Sequence, residues 1–315
     1  MHMGKHCFVQ KPMTHAIHEA RVLGELAREK KLATQMGNQG TADGGLRRGA
    51  AMVKAGAIGT VKEVHVWTNR PIWPQGGDRP KPETPPTTLH WNEWLGPAPE
   101  RPYGKGYHPF SWRGWWDFGT GALGDMACHT VNMCFMALNL RDPISVVAET
   151  SGHNKDSYPK WSIIHFEFPQ LGDRPPVKMT WYDGGKRPPE ELFEGKKPGG
   201  SGSMMVGDKG KYFSSGDYGG GILMGGAEVA VDPPKSPGHF QEWVRAIKGG
   251  EQAMSNFPDY AGPLTETILL GNLAVYAAAS GKGEKVEWDA KNLKVKNIAG
   301  LEMIVQPAYR AGYSL

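Results

Sequence analysis

In the first 55 residues two short apolar runs alternate with two stretches of helical spacing, and no other feature limits the fold as much. "KHCFVQKP" reads as a strand that stops at Pro12. In "THAIHEARVLGELAREKK", Thr14 suits a helix N-cap, and Ile17, Ala20, Leu23, Leu26 and Ala27 recur on one helical face. "LATQMGNQ" is a second strand ending in Gly37-Asn38-Gln39, and a second helix is predicted over 43–55. Strand, helix, strand, helix in this order is the signature of a parallel α/β unit.

Beyond residue 60 the pattern changes. "VKEVHVWTN" alternates as a strand, whereas residues 71–118 are rich in Pro, Trp and Gly and carry only a short helical turn at "HWNEWLG". One continuous helix is predicted over 121–140. Strands follow at "ISVVAETS", "WSIIHFEF" and "VKMTWYD", and a Gly-rich stretch over 195–226 separates them from a strand at "EVAVD". Within that stretch "GKKPGGSGS" reads as an ordered loop, a lid or a domain boundary. Successive strands without intervening helices are joined by hairpins or longer loops, so this half should be largely antiparallel. Helices at "HFQEWVRAIKG" and "LTETILLGNLAVYAAASG" and a strand "KVEWD" complete the chain, which has no internal repeat.

Composition narrows the function classes. The 315 residues, 39% hydrophobic and 22% charged, suit a soluble globular protein with one large or two small domains. The net charge of +4 is mild, and no basic run joins an aromatic platform, so nucleic-acid binding is not expected. No stretch reaches the ~18 apolar residues of a membrane span. "MHMGKHCFVQKP" lacks the apolar run of a signal peptide. Cys7, Cys128 and Cys134 form no C-x-x-C pair, which favours a reducing compartment. The 43 glycines and 25 prolines imply many ordered loops; of 11 tryptophans, Trp91, Trp94, Trp112, Trp115 and Trp116 crowd one short region.

"DFGTGALGDMACH" contains Gly119-Thr-Gly121-Ala-Leu-Gly124, which matches the dinucleotide fingerprint G-x-G-x-x-G. That fingerprint needs an apolar strand before it, and "YHPFSWRGWWDF" is not one. The stretch is therefore not expected to cradle a pyrophosphate. Just after it, Asp125 and His129 are four apart and share a helix face. A carboxylate beside an imidazole fixes the tautomer and raises basicity, as general-base chemistry requires. The alternative is an Asp125 that caps or salt-bridges locally and a His129 that is a satisfied, partly buried residue. Zinc on Asp125, Cys128 and His129 is disfavoured, because Cys128 and His129 point about 100° apart on a helix. No metal site is expected.

Several segments resemble the Gfo/Idh/MocA family of NAD(P)-dependent oxidoreductases, and they occur in the family's order over nearly the whole chain. "GKHCFVQKPMTH" resembles its strand and E-K-P loop, with Gln10 in place of the usual glutamate. "EARVLGELAREKKLATQMGNQ" resembles the helix and strand that follow. "WRGWWDFGTGALGDMACH" resembles its Trp-Arg element, Gly-rich loop and Asp-x-x-x-His helix, and "FPDYAGPLTETILLGNLA" and "YRAGY" its C-terminal part. The resemblance implies a hydride moved between a sugar or polyol carbon and the nicotinamide of NAD or NADP. It implies His129 as acid/base, Lys11 hydrogen-bonded to the reacting oxygen beside the nicotinamide, and Asp125 orienting the pair. Gln10, Lys11, Pro12, Asn38, Gln39, Trp112 and Arg113 would border the cofactor. Lys11, Arg113, Trp115, Trp116, Asp125 and His129 would meet a carbohydrate substrate; the tryptophans read equally as packing for a long loop.

A family member opens with a Rossmann strand, its own glycine fingerprint and several βα units before the K-P motif. At roughly 30 residues per unit, about a hundred residues are expected to precede this chain. The implied fold is α/β plus α+β. Residues 1–40 form the remnant of a Rossmann parallel sheet, and 41–315 a large, mostly antiparallel open-sheet domain with helices on one face. The open sheet would form a homodimer or homotetramer. The location implied is cytoplasmic, apart from any signal carried by a preceding segment. Two other functions fit the same residues: glycoside cleavage through transient sugar oxidation by NAD, and a cofactor-free sheet domain acting in binding or assembly.

Overall fold

The computed structural model describes residues 1–315. Strand β1 (Cys7–Gln10) pairs in parallel with β2 (Thr34–Gly37), with Gln10 opposite Gly37 at the carboxyl ends. Between them lies helix α1 (Ile17–Glu29), whose expected face is buried at Ile17, Ala20, Leu26 and Ala27. Its N-cap is Ala16 rather than Thr14. The orphan amides of His15 and Ala16 are satisfied by Glu19 Oε2 at 2.9 Å each, while Thr14 Oγ1 donates to the Ala16 carbonyl. Helix α2 (Gly44–Lys54) starts as its sequence suggests, with the Asp43 side chain accepting from Leu46 N at 2.8 Å.

The rest is built on one nine-stranded sheet. Its strands are β3 (Val61–Trp67), β4 (Ser145–Thr150), β5 (Ser162–Phe168), β6 (Val177–Tyr182), β7 (Gly202–Gly207), β8 (Gly210–Ser215), β9 (Ile222–Gly225), β10 (Val286–Asp289) and β11 (Lys294–Val295). Their spatial order is β11-β10-β4-β5-β6-β3-β7-β8-β9, and every pair is antiparallel except β3–β6. The Gly-rich stretch is thus no separator: β7, β8 and β9 lie within it, and "EVAVD" forms no strand. Met204, Phe213 and Met224 bury against Trp67, and Gly202 is needed because a Cβ there would sit 2.6 Å from the Trp67 ring. Packing therefore outweighs the weak strand propensity of glycine.

Over 71–118 the regular elements are α3 (Trp91–Leu95) and a 3₁₀ turn at Ser111–Gly114. This passage is held by aromatic packing, with Trp91 on Trp94 at 4.9 Å and Phe118 edge-on to Trp94 at 5.0 Å. The helix expected over 121–140 is two segments, α4 (Gly121–Thr130) and α5 (Asn132–Leu138), interrupted at Val131 and stopped by left-handed Asn139. Helical hydrogen bonds continue across the break through Val131 N and its carbonyl, so α5 prolongs α4.

Helix α6 (His239–Ile247) covers β2, and α7 (Gly262–Ala277) lies with α4 on one face of the sheet. The main core forms between these helices and the sheet and includes Leu123, Ala127, Phe166, Trp181, Leu270 and Ala274. The short α8 (Glu302–Val305) precedes the C-terminal segment. No helix is long and apolar enough to cross a membrane.

Candidate active site

Three segments distant in sequence meet where β1 and β2 end. Lys11 directly follows β1, Asn38 directly follows β2, and Asp125 and His129 lie on α4. Ligands of parallel α/β units bind in the crevice outside the carboxyl ends of the strands, which is where this cluster sits.

Lys11 Nζ donates to the Asp125 carbonyl at 2.7 Å and to Asp125 Oδ1 at 3.2 Å. Arg113 Nε approaches the same Oδ1 at 3.3 Å, and its guanidinium lies 4.5 Å over the Trp112 ring. One carboxylate thus holds two cations. An ammonium has three donors, so Lys11 keeps one N–H for another acceptor. Asp125 therefore makes its ion pairs with Lys11 and Arg113, and the partner of His129 is a different residue.

That partner is Asn38, which is fully buried. Its amide NH₂ donates to the Cys128 carbonyl, so its Oδ1 faces His129 Nδ1 at 2.8 Å. An amide oxygen can only accept, which places the proton of neutral His129 on Nδ1 and leaves the Nε2 lone pair free. Burial pushes His129 down to about 3; the Lys11 charge adds to the shift and Asp125 opposes it. The imidazole is thus neutral across the physiological range. It is an acceptor fixed by its tautomer, with a cation close enough to act on it.

Two neighbouring features complete the geometry. The Tyr218 ring stands edge-on to His129 at 4.7 Å, from the loop between β8 and β9. Gly40 permits this approach, since a Cβ there would come within 3.1 Å of Tyr218 Cδ1. The only trace of Tyr218 in the sequence is a lone aromatic residue among the glycines of "SSGDYGGG". Cys128, fully buried, is pushed up to about 12 by desolvation, so its thiol stays protonated and donates to the Asp125 carbonyl.

The other residues singled out by sequence are distributed as follows. Gln10 and Gln39 are exposed at the strand ends, and Pro12 is half-buried beside Lys11. Asn38 is buried, its amide NH₂ donating to the Cys128 carbonyl and its Oδ1 facing His129 Nδ1. Trp115 packs the loop: its Nε1 donates to the Gly106 carbonyl and its ring meets Tyr107. Trp116 stacks on Tyr158 at 3.8 Å and lines a cavity of about 470 Å³. Trp112 also lines this cavity, whose wall includes none of Lys11, Asn38, Asp125 or His129. Trp112 links the two: it lines the cavity and stacks with the Arg113 guanidinium, which pairs with Asp125.

The residues fit one end of a nicotinamide dinucleotide. At the strand ends, a free Lys11 N–H and the free His129 Nε2 suit the reacting end. "GTGALG" does not suit the pyrophosphate: a Cβ at Gly119 would lie 2.6 Å from the Arg113 backbone, and one at Gly121 2.7 Å from the Tyr158 ring. Those glycines admit protein, not phosphate.

Residues 52–315 match the family model of the Gfo/Idh/MocA group described as "Oxidoreductase family, C-terminal alpha/beta domain". No curated protein matches the chain. Among solved structures it is similar to the WlbA dehydrogenase from Bordetella pertussis in complex with NADH and UDP-GlcNAcA. That likeness has 15% identity and a TM-score of 0.58, and covers 91% of this chain and 74% of that one. It is also similar to the aldose-aldose oxidoreductase from Caulobacter crescentus complexed with glycerol (16%, 0.56, 91% and 73%). A third is an oxidoreductase from Thermotoga maritima (14%, 0.54, 92% and 72%). At these identities the likeness shows a shared fold.

Proposed function

Because the chain belongs to the Gfo/Idh/MocA oxidoreductase family, through the C-terminal α/β domain at residues 52–315, we propose that it catalyses hydride transfer between NAD(P) and a sugar, polyol or related carbohydrate. The observation that carries this reading is the pairing of a free His129 Nε2 with a spare Lys11 N–H at the ends of β1 and β2. A nicotinamide cofactor, when bound, supplies the carbon that accepts or donates the hydride. In the oxidative direction His129 Nε2 takes the hydroxyl proton as the carbon–hydrogen bond breaks. Lys11 donates to the same oxygen and stabilises the negative charge it gains. Asp125 holds Lys11 in place, Asn38 holds the tautomer, and the Tyr218 ring limits water at His129. Gln10, Lys11, Pro12, Trp112 and Arg113 would border the nicotinamide end.

Two further parts belong to this proposal. The pyrophosphate and ribose contacts are assigned to no residue of 1–315, and β1 pairs with β2 alone. Copies associate through the sheet face away from α4 and α7, where Glu149, His165 and Lys178 are exposed; Thr180→Arg on that face should then convert a dimer or tetramer to monomer in light scattering.

The test is a panel of sugars and polyols with NAD and NADP, using the protein beside its His129→Ala variant. Stoichiometric NAD(P)H formation lost in the variant supports the reading. Release of free sugar or aglycone without net NADH would replace it with redox-assisted glycoside cleavage. Absence of cofactor binding would leave a binding or assembly role.

A further inference from the structure

Charge is unevenly shared at the reacting end of the crevice. Lys11 and Arg113 meet on one oxygen, Asp125 Oδ1, at 3.2 and 3.3 Å, so a single carboxylate stands against two cations. His129, kept neutral by burial, adds no charge. Tyr218, edge-on to His129, brings one further charge of each sign, Asp217 and Arg70. Three cations against two carboxylates leave the site with an excess positive charge. The groups that carry it are open to a ligand: the side chains of Lys11, Arg113 and Asp125 are 23%, 27% and 15% exposed.

The Arg113 guanidinium also has donors to spare. Of its five N–H bonds, that on Nε goes to Asp125 and one on Nη1 to the Phe110 carbonyl at 3.1 Å, while both on Nη2 have no partner in the protein. Its position is fixed by the rings of Trp112 at 4.5 Å, Phe110 at 4.9 Å and Trp73 at 5.9 Å, which hold the cation without using those donors. A planar fork that is fixed, accessible and unused suits a carboxylate, which it takes through two parallel hydrogen bonds. A hydroxyl would answer some of these donors and leave the excess charge unopposed; a carboxylate answers both needs. The remaining N–H of Lys11 lies on the other side of Asp125 Oδ1 and stays free for the reacting oxygen.

We propose that the substrate of this site is an acidic carbohydrate, whose carboxylate pairs with Arg113 while a nearby hydroxyl meets Lys11 and His129. The inference rests on the hydride-transfer reading, so it is tested by binding as well as by turnover. The protein is titrated with matched acid and neutral pairs: D-glucuronate with D-glucose, D-galacturonate with D-galactose, and D-gluconate with D-glucitol. Calorimetry and chemical shifts follow binding, and each compound is then offered with NAD and NADP. At least one acid should bind at a single site about tenfold more tightly than its neutral partner, as a charged hydrogen-bonded pair implies. Shift changes should gather at Lys11, Arg113 and His129. Added salt should narrow the gap, and Arg113→Gln should close it. Absence of saturable binding by any acid, equal affinities within every pair, a preference that survives Arg113→Gln, or shift changes elsewhere would overturn the proposal. Preferred binding of an acid without NAD(P)H formation would sink the transfer reading and leave the charge assignment standing. NAD(P)H formed from the neutral partners as readily as from the acids would do the reverse. The paired comparison on the unaltered protein, with its salt dependence, decides the question even where Arg113→Gln fails to fold.

Discussion

Lys11 has three N–H bonds and Asp125 takes two of them, so the ammonium is held without being used up. Replacing it with methionine keeps the length and removes the charge. Lys11→Met should lower kcat by about 10²–10³, the usual cost of one donor to a developing oxyanion; an unchanged kcat would remove Lys11 from the chemistry. His129 makes a stability prediction of its own. Its pKa, about 6.5 when unfolded, falls to about 3 when folded. Between those values the unfolded state binds more protons, so the native state loses stability as pH falls from about 6.5 towards 3. His129→Gln should lose less stability than the parent over that window in urea titrations; parallel curves would contradict the shift. The four-residue spacing of Asp125 and His129 was legible in the sequence, because helical periodicity is local. Asn38 as the partner was not, since it arrives from 91 residues away and only the β1–β2 crevice brings it there.

Helix α6 shows how elements hold the crevice open. It is tied to β2 by Gln35 Nε2 donating to the His239 carbonyl at 2.8 Å and by Trp243 Nε1 donating to the Ala33 carbonyl at 3.2 Å. Beneath these, Arg47 of α2 pairs with Glu242 of α6, both almost wholly buried. Glu242 also accepts from Met254 N at 3.0 Å. Arg47→Met strands a buried carboxylate and should cost about 3–5 kcal/mol in equilibrium denaturation, with much of the loss recovered by adding Glu242→Leu. A single-variant loss below about 0.5 kcal/mol would show the pair to be expendable. Elements with strong periodicity, such as α1, β5 and β6, could be read directly. Strands β7 to β9 could not, because their glycines are selected by contact with Trp67 and neighbouring strands rather than by strand propensity. "EVAVD" erred the other way: its alternation finds no strand to pair with.

At the scale of the molecule, the parallel opening and the broad antiparallel sheet followed from the order of periodicities, and their meeting place did not. Residues 11, 38, 125 and 129 form one site only because α4 runs from the sheet domain to the ends of β1 and β2. The central claim is that this assembly fixes His129 neutral, with Nδ1 protonated and Nε2 free. Long-range ¹H–¹⁵N correlation of histidine-labelled protein between pH 5 and 8, with His129 assigned by its loss in His129→Gln, tests it most directly. The predicted result is an Nδ1–H tautomer that does not titrate over this range and becomes a tautomer mixture in Asn38→Ala. A His129 that titrates near pH 6.5, or that carries its proton on Nε2, would contradict the account.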